Sequence, residues 1–247
     1  MTSTADSDHQ HDSRPVALVT GASAGLGLAL ARGLAARGWV LILDARGEAA
    51  LHQVAAELGQ HTEVRAIPGD VAASEHREQL AAAARAHGRL DVLVNNASTL
   101  GPAPLPPLAA YPLDEFERVL QVNTVAPLGL ARLLLPMLSA TRGAMVNISS
   151  DAAVEAYPGW GGYGAAKSAL DQITAVLAAE QSTVRVYGFD PGDMRTAMHQ
   201  RAYPGEDISD RPTPERVVPA LIGLLVGSRP SGRYRADDLL AHSAGHS

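Results

Sequence analysis

Two kinds of apolar pattern alternate along this chain. Six short runs, at residues 16–20, 39–43, 64–68, 92–95, 144–149 and 184–189, are rich in Val, Leu and Ile without strict alternation. Parallel strands read this way when helices cover both faces of their sheet. Between them, residues 26–37, 48–58, 74–87, 113–139 and 161–180 carry apolar positions at helical spacing; Leu26, Leu30 and Leu34 make one such stripe. The alternation predicts an α/β fold, a single Rossmann-type doubly wound parallel sheet of about seven strands with helices on both faces and right-handed crossovers. A ligand should then bind at the carboxyl ends of the strands, near the switch in strand order.

Two segments break the rhythm. Residues 98–112 carry five prolines, and residues 195–214 mix Pro, Gly and charges. Both follow strands, where loops reach the ligand crevice, so both are expected to shape a substrate pocket. Asp151, Glu155 and Asp193 make its approaches acidic, while Tyr157, Trp160 and Tyr203 offer aromatic faces. No linker divides the chain. The expected organisation is a disordered polar tail over 1–14, one dinucleotide-binding domain over 15–235 and a C-terminal tail over 236–247.

Composition narrows the functional classes. The net charge is −6 and no run of Lys and Arg stands out, which argues against nucleic acid as a partner. Cysteine is absent, so disulfides and thiolate chemistry are excluded. The nine histidines show no metal-ligand spacing, and no metal is expected. The polar first fourteen residues lack the apolar stretch of a secretory signal. No apolar run approaches the roughly 20 residues that span a membrane. These features predict a soluble cytoplasmic protein.

Two groups of residues carry chemistry. Gly21, Gly25 and Gly27 lie between the first strand and the first helix, where glycines let the backbone approach a pyrophosphate at a helix N-terminus. Downstream stand Ser150, Tyr163 and Lys167. Tyr163 and Lys167 are four apart and share one helical face. An ammonium beside a phenol stabilises its anion, so Lys167 is expected to lower the Tyr163 pKa and suit it to proton exchange. Ser150 lacks a Gly-x-Ser-x-Gly context, which disfavours a hydrolase nucleophile. Its expected task is to bond a substrate oxygen.

The order Thr20-Gly-Ala-Ser-Ala-Gly-Leu-Gly27, Gly69-Asp70-Val71, Asn95-Asn96-Ala97, Asn123, Ser150, Tyr163-x-x-x-Lys167 and Pro191-Gly192 closely resembles the classical short-chain dehydrogenase/reductase family over residues 15–230. The resemblance implies an NAD(P)-dependent oxidoreductase that moves a hydride between nicotinamide and a carbonyl or alcohol carbon, with Tyr163 as general acid/base. Asn123, Ser150, Tyr163 and Lys167 would be catalytic, Asn123 holding a main-chain kink and a water chain to Lys167. Gly21, Ser23, Gly25, Leu26 and Gly27 would surround the phosphates and adenosine, Asp70 and Val71 the adenine, and Asn95 and Ala97 the riboses. Tyr163 and Lys167 would also touch the cofactor, and Pro191, Gly192, Met194 and Thr196 would hold the carboxamide. The alternative is a catalytically silent NAD(P)-binding regulator or pathway subunit.

Departures from the family are Ser98 for Gly, Tyr187 for Asn, and a C-terminal Ser231-Gly-Arg-Tyr-Arg-Ala stretch in place of Asp-Gly-Gly. NADP(H) is favoured over NAD(H): Arg46 falls where a 2′-phosphate would lie, while Asp44 competes as a ribose-binding acid. The expected partners are a small-molecule carbonyl or alcohol, polar or cationic, and further copies of the chain in a homodimer or homotetramer.

Overall fold

The computed structural model describes residues 14–244, so the segment 1–13, most of the expected N-terminal tail, lies outside the described residues. The sheet contains β1 (Val16–Val19), β2 (Val40–Ala45), β3 (Val64–Pro68), β4 (Val92–Asn95), β5 (Ala144–Ile148), β6 (Arg185–Asp190) and β7 (Gly232–Arg235). All six neighbour pairings are parallel, in the order β3-β2-β1-β4-β5-β6-β7. The order reverses between β1 and β4, which opens a crevice above their carboxyl ends.

The helices are α1 (Gly25–Ala35), α2 (Glu48–Leu58), α3 (Ser74–His87), α4 (Leu113–Leu120), α5 (Ala126–Thr141), α6 (Gly161–Glu180), α7 (Ala197–Ala202), α8 (Val218–Val226) and α9 (Ala236–Ala244). The inner strands are apolar on both faces because each face meets a different helical layer. Ala17, Val19, Leu41 and Leu43 pack with Leu30 and Leu34 of α1 and Leu221 of α8. Val16, Leu18, Val40 and Ile42, from the alternate positions, pack with Leu80 of α3, Leu134 of α5 and Leu177 of α6. This is the period of two expected of strands.

Residues expected to form one helix over 113–139 form α4, a π-helical turn at Gln121–Val125 and α5. Leu113–Thr141 is long and apolar enough by length and composition to cross a membrane. Its Leu130, Leu134 and Leu138 nevertheless point into the core. The expected tail over 236–247 is corrected in part: Ala236–Ala244 is helical, and Ala236 and Leu239 are buried. The domain thus continues past residue 235.

Candidate active site

The crevice is a cavity of about 690 Å³ lined from the glycine turn at one end to Ser150, Tyr163 and Trp160 at the other. At the turn, Gly21 and Gly25 have φ of +65° and +55°, which favours glycine. A Cβ on Gly27 would lie 2.4 Å from the Gly21 carbonyl oxygen and 2.6 Å from Asn96 Nδ2. Gly27 therefore secures the close packing of the turn on β4, rather than facing the cavity itself. No side chain caps the N-terminus of α1. Its first N–H groups and helix dipole are left for an anion. Across the gap, a Cβ on Gly192 (φ +69°) would meet nothing within 4 Å. Bare backbone on both walls fits an elongated dinucleotide with a central pyrophosphate.

Ser23, Leu26, Arg46, Asp70, Val71, Ala97, Pro191, Gly192, Met194 and Thr196 all border this cavity. Asp70 is held by Arg118 from α4 and accepts the Ala72 N–H at 2.9 Å. Burial raises its pKa, but those hydrogen bonds outweigh it and hold the carboxyl below its usual value. Thr196 caps α7 by accepting the His199 N–H at 3.2 Å.

Two expected cofactor contacts are corrected. Asn95 is buried, and its Nδ2 donates to Asn147 Oδ1 at 2.7 Å, inside the sheet. Its neighbour Asn96 borders the cavity instead and donates to the Thr20 and Gly21 carbonyls, bracing the glycine turn. Asp44 lies at the cavity edge, but its carboxylate is 1% exposed and sits 2.6 Å from Nε2 of His76 on α3. That carboxylate is committed beneath the crevice and not free for a ribose. The hydrogen bond to Asp44 holds the His76 imidazole above its usual pKa. In both cases one position along a strand decides which face a side chain takes.

The residues expected to be catalytic converge from two places. Ser150 lies two residues past the end of β5, and Tyr163 and Lys167 rise from α6. Ser150 Oγ donates to Asp151 Oδ1 at 2.9 Å and accepts the Ala152 N–H at 3.2 Å. Lys167 is the single lysine of the chain. It is 2% exposed, donates from Nζ to the Ile148 carbonyl at 2.6 Å, and lies 5.5 Å from the Tyr163 ring centroid. Burial pushes its pKa down to about 8, with Asp171 partly opposing.

Tyr163 departs from expectation. Burial pushes its phenol up to about 12, against the Ser150 and Ser98 hydroxyls, which pull it down. Lys167 is buried and engaged with Ile148, so it does not outweigh desolvation. Asn123 is placed as a brace. Its Oδ1 accepts the Thr99 N–H at 2.9 Å and the Ser98 hydroxyl at 3.2 Å, and its Nδ2 donates to the Thr99 carbonyl at 2.8 Å. It sits in the π-helical turn at Gln121–Val125.

The substrate end is more aromatic than acidic. Trp160 lies 5.7 Å from Tyr163 and 6.0 Å from Tyr203, and His199 lies 4.9 Å from Tyr203, all between ring centroids. Leu100 and Met198 pack in the same cluster. The carboxylates already have partners: the Tyr157 hydroxyl donates to Glu155 at 2.7 Å, and Asp151 accepts from the Ser150 hydroxyl at 2.9 Å. Asp193 lies 3.7 Å from both His199 and Arg211. Sequence reading gave no role to Asn96 or Asp190, although Asn96 lies inside the Asn95-Asn96-Ala97 motif and Asp190 just precedes Pro191-Gly192.

The short chain dehydrogenase family model matches residues 15–207. The chain belongs to this family. It is 35% identical to the uncharacterized oxidoreductase YciK of Escherichia coli, over 85% of each chain. It is 36% identical to the sepiapterin reductase of Mus musculus, covering 76% of this chain and 77% of that one. Among solved structures, a short chain dehydrogenase from Shigella flexneri complexed with NADP superimposes with a TM-score of 0.84 at 33% identity. That match covers 90% of this chain and 97% of the other.

Proposed function

We propose that this protein is an NADP(H)-dependent oxidoreductase that interconverts a small-molecule carbonyl compound and its alcohol. One observation carries the reading: Ser150, Tyr163 and Lys167 converge at one end of a cavity whose other end is a glycine turn at an uncapped helix N-terminus. The bound dinucleotide supplies the hydride acceptor or donor. Ser150 and Tyr163 hold the substrate oxygen, the serine hydroxyl turning from Asp151 to do so. As negative charge grows on that oxygen, Tyr163 gives up its proton, a general-acid step worth about 10²–10⁴-fold. The buried Lys167 ammonium underlies the ring and favours the phenolate that results.

The phosphorylated cofactor is favoured because Asp44 is engaged by His76 while Arg46 stands exposed at the cavity edge. The NADP bound to the Shigella relative supports the same choice. The aromatic cluster around Trp160 suits a carbonyl carried on an apolar or aromatic body better than a cationic one. A cytoplasmic location and a homodimer or homotetramer belong to this reading too. Leu113, Val125 and Val176 leave apolar side chains exposed on α4, the π-helical turn and α6, which suits association.

The test is to follow cofactor absorbance with purified protein, NADPH or NADH, and a panel of aliphatic and aryl ketones and aldehydes. Turnover with NADPH on an aryl carbonyl is expected. Tight dinucleotide binding without turnover on any member would favour the silent binding protein. A monomer mass by light scattering would remove the oligomer.

A further inference from the structure

Beyond the residues that touch substrate or cofactor, an arginine at the sheet edge gathers three parts of the site. Arg233 lies on β7, in register with Gly188 of β6. A Cβ on Gly188 would lie 3.7 Å from Arg233 Cγ and 3.5 Å from Asp171 Oδ1, ordinary contact distances that place the arginine side chain over β6. From there its Nη2 donates to the Ser150 carbonyl at 2.9 Å and to Asp190 Oδ2 at 3.0 Å. Its Nε donates to Asp171 Oδ2 at 2.9 Å. The other oxygen of Asp190 accepts the Gly192 N–H at 3.0 Å and so fixes the Pro191-Gly192 turn.

We propose that Arg233 is a positioning residue of this active site. Its guanidinium ties the main chain of Ser150, the Asp190 cap of the Pro191-Gly192 turn and the Lys167-bearing helix into one cluster. The chemistry suits the task. Asp190 is 2% exposed, and a buried carboxylate needs a charge partner as well as hydrogen bonds. A guanidinium presents donors in a rigid fork that one ammonium cannot copy. Asp171 stands four residues after Lys167 on α6, so the charge on Asp171 is felt at Lys167. The charged and titratable groups of this cluster are Tyr163 beside Lys167 and Asp171 on the same helix, Asp151 and Asp190, whose charges reach Tyr163, and Arg233, bonded to Asp171. Arg235 adds a second guanidinium 4.0 Å from Asp190. The proposal uses the cavity as a dinucleotide site, and so rests in part on the function proposed above.

Because Lys167 is the only lysine, protein grown on isotope-labelled lysine gives one side-chain NMR signal that reports the site without any substrate. Arg233→Met should shift its titration midpoint up by about half a unit or more, as Asp171 loses its counter-charge. The same variant should weaken NADPH binding, read by nucleotide fluorescence, about fivefold or more as the Asp190 cap loosens. Arg233→Lys should keep the midpoint near wild type, because the charge remains, yet weaken NADPH binding. If Arg233→Met leaves both the lysine midpoint and NADPH binding unchanged, or if Arg233→Lys shifts the midpoint as far as Met does, the proposal is wrong. Should Arg233→Met not fold, Arg233→Lys and Asp190→Asn decide it: both must weaken NADPH binding, and unchanged binding in either overturns it. Wild-type protein that binds neither NADPH nor NADH defeats the cofactor reading instead, and the lysine midpoint still decides the role of Arg233.

Discussion

His76 Nε2 and Asp44 Oδ1 lie 2.6 Å apart beneath the floor of the dinucleotide crevice, with both side chains buried. The acid that could have read a ribose diol is thereby neutralised by a residue on α3. Arg46 is left as an exposed cationic group bordering that end of the cavity. Arg46→Ala should lower kcat/KM for NADPH by about 10- to 100-fold, the worth of a charge-assisted contact, and leave NADH within about twofold. Steady-state kinetics with both cofactors checks this, and an equal loss for NADH would mean that Arg46 does not meet the phosphate.

The same pair makes a stability prediction. His76→Leu strands a carboxylate that is 1% exposed, and breaking a buried pair costs about 3–5 kcal/mol. Urea unfolding at neutral pH should show that loss. A change below about 1 kcal/mol would mean that the pair is not charged in the native state.

Tyr163→Phe keeps the ring against Trp160 and removes only the hydroxyl. Turnover should fall by at least about 10²-fold while the dissociation constant for NADPH moves less than about threefold. Near wild-type kcat on a confirmed substrate would reassign the proton donor.

Lys167 in the free protein should titrate near 8, not at its ordinary value of 10.5. Between these two values the unfolded chain binds the extra proton, so this group makes stability rise with pH across that window. Below about 8 both states are charged, and the cost of burying the ammonium is constant. The single lysine signal in an NMR titration checks the midpoint. A value near 10 would mean that water reaches Nζ.

How much of this was readable beforehand follows from the range of the forces involved. Tyr163 and Lys167 were legible because a helix fixes the geometry of residues four apart. Strands β1, β2, β4, β5 and β6 were legible because both of their faces are buried, and β3, at the other sheet edge, because Val64, Ala66 and Ile67 keep it apolar despite partial exposure. β7 escaped notice because Gly-Arg-Tyr-Arg is polar and lies at the sheet edge, where no second face needs covering. Asp44 and Asn95 were misplaced for a common reason: at a strand end, one residue separates a cavity from a core. The tie from Arg233 to Ser150 joins positions 83 apart in sequence and exists only once the sheet is assembled.

The burial of Lys167 also has a chemical consequence for the whole molecule. With 19 arginines and one lysine, and that lysine 2% exposed, the folded surface presents no lysine side-chain amine. Acylating reagents, amine-reactive dyes and aldehyde cross-linkers can therefore reach only the chain's α-amino group unless the catalytic crevice opens to admit them. A lysine adduct found by mass spectrometry would locate the reagent at the base of that crevice and report the event as inactivation.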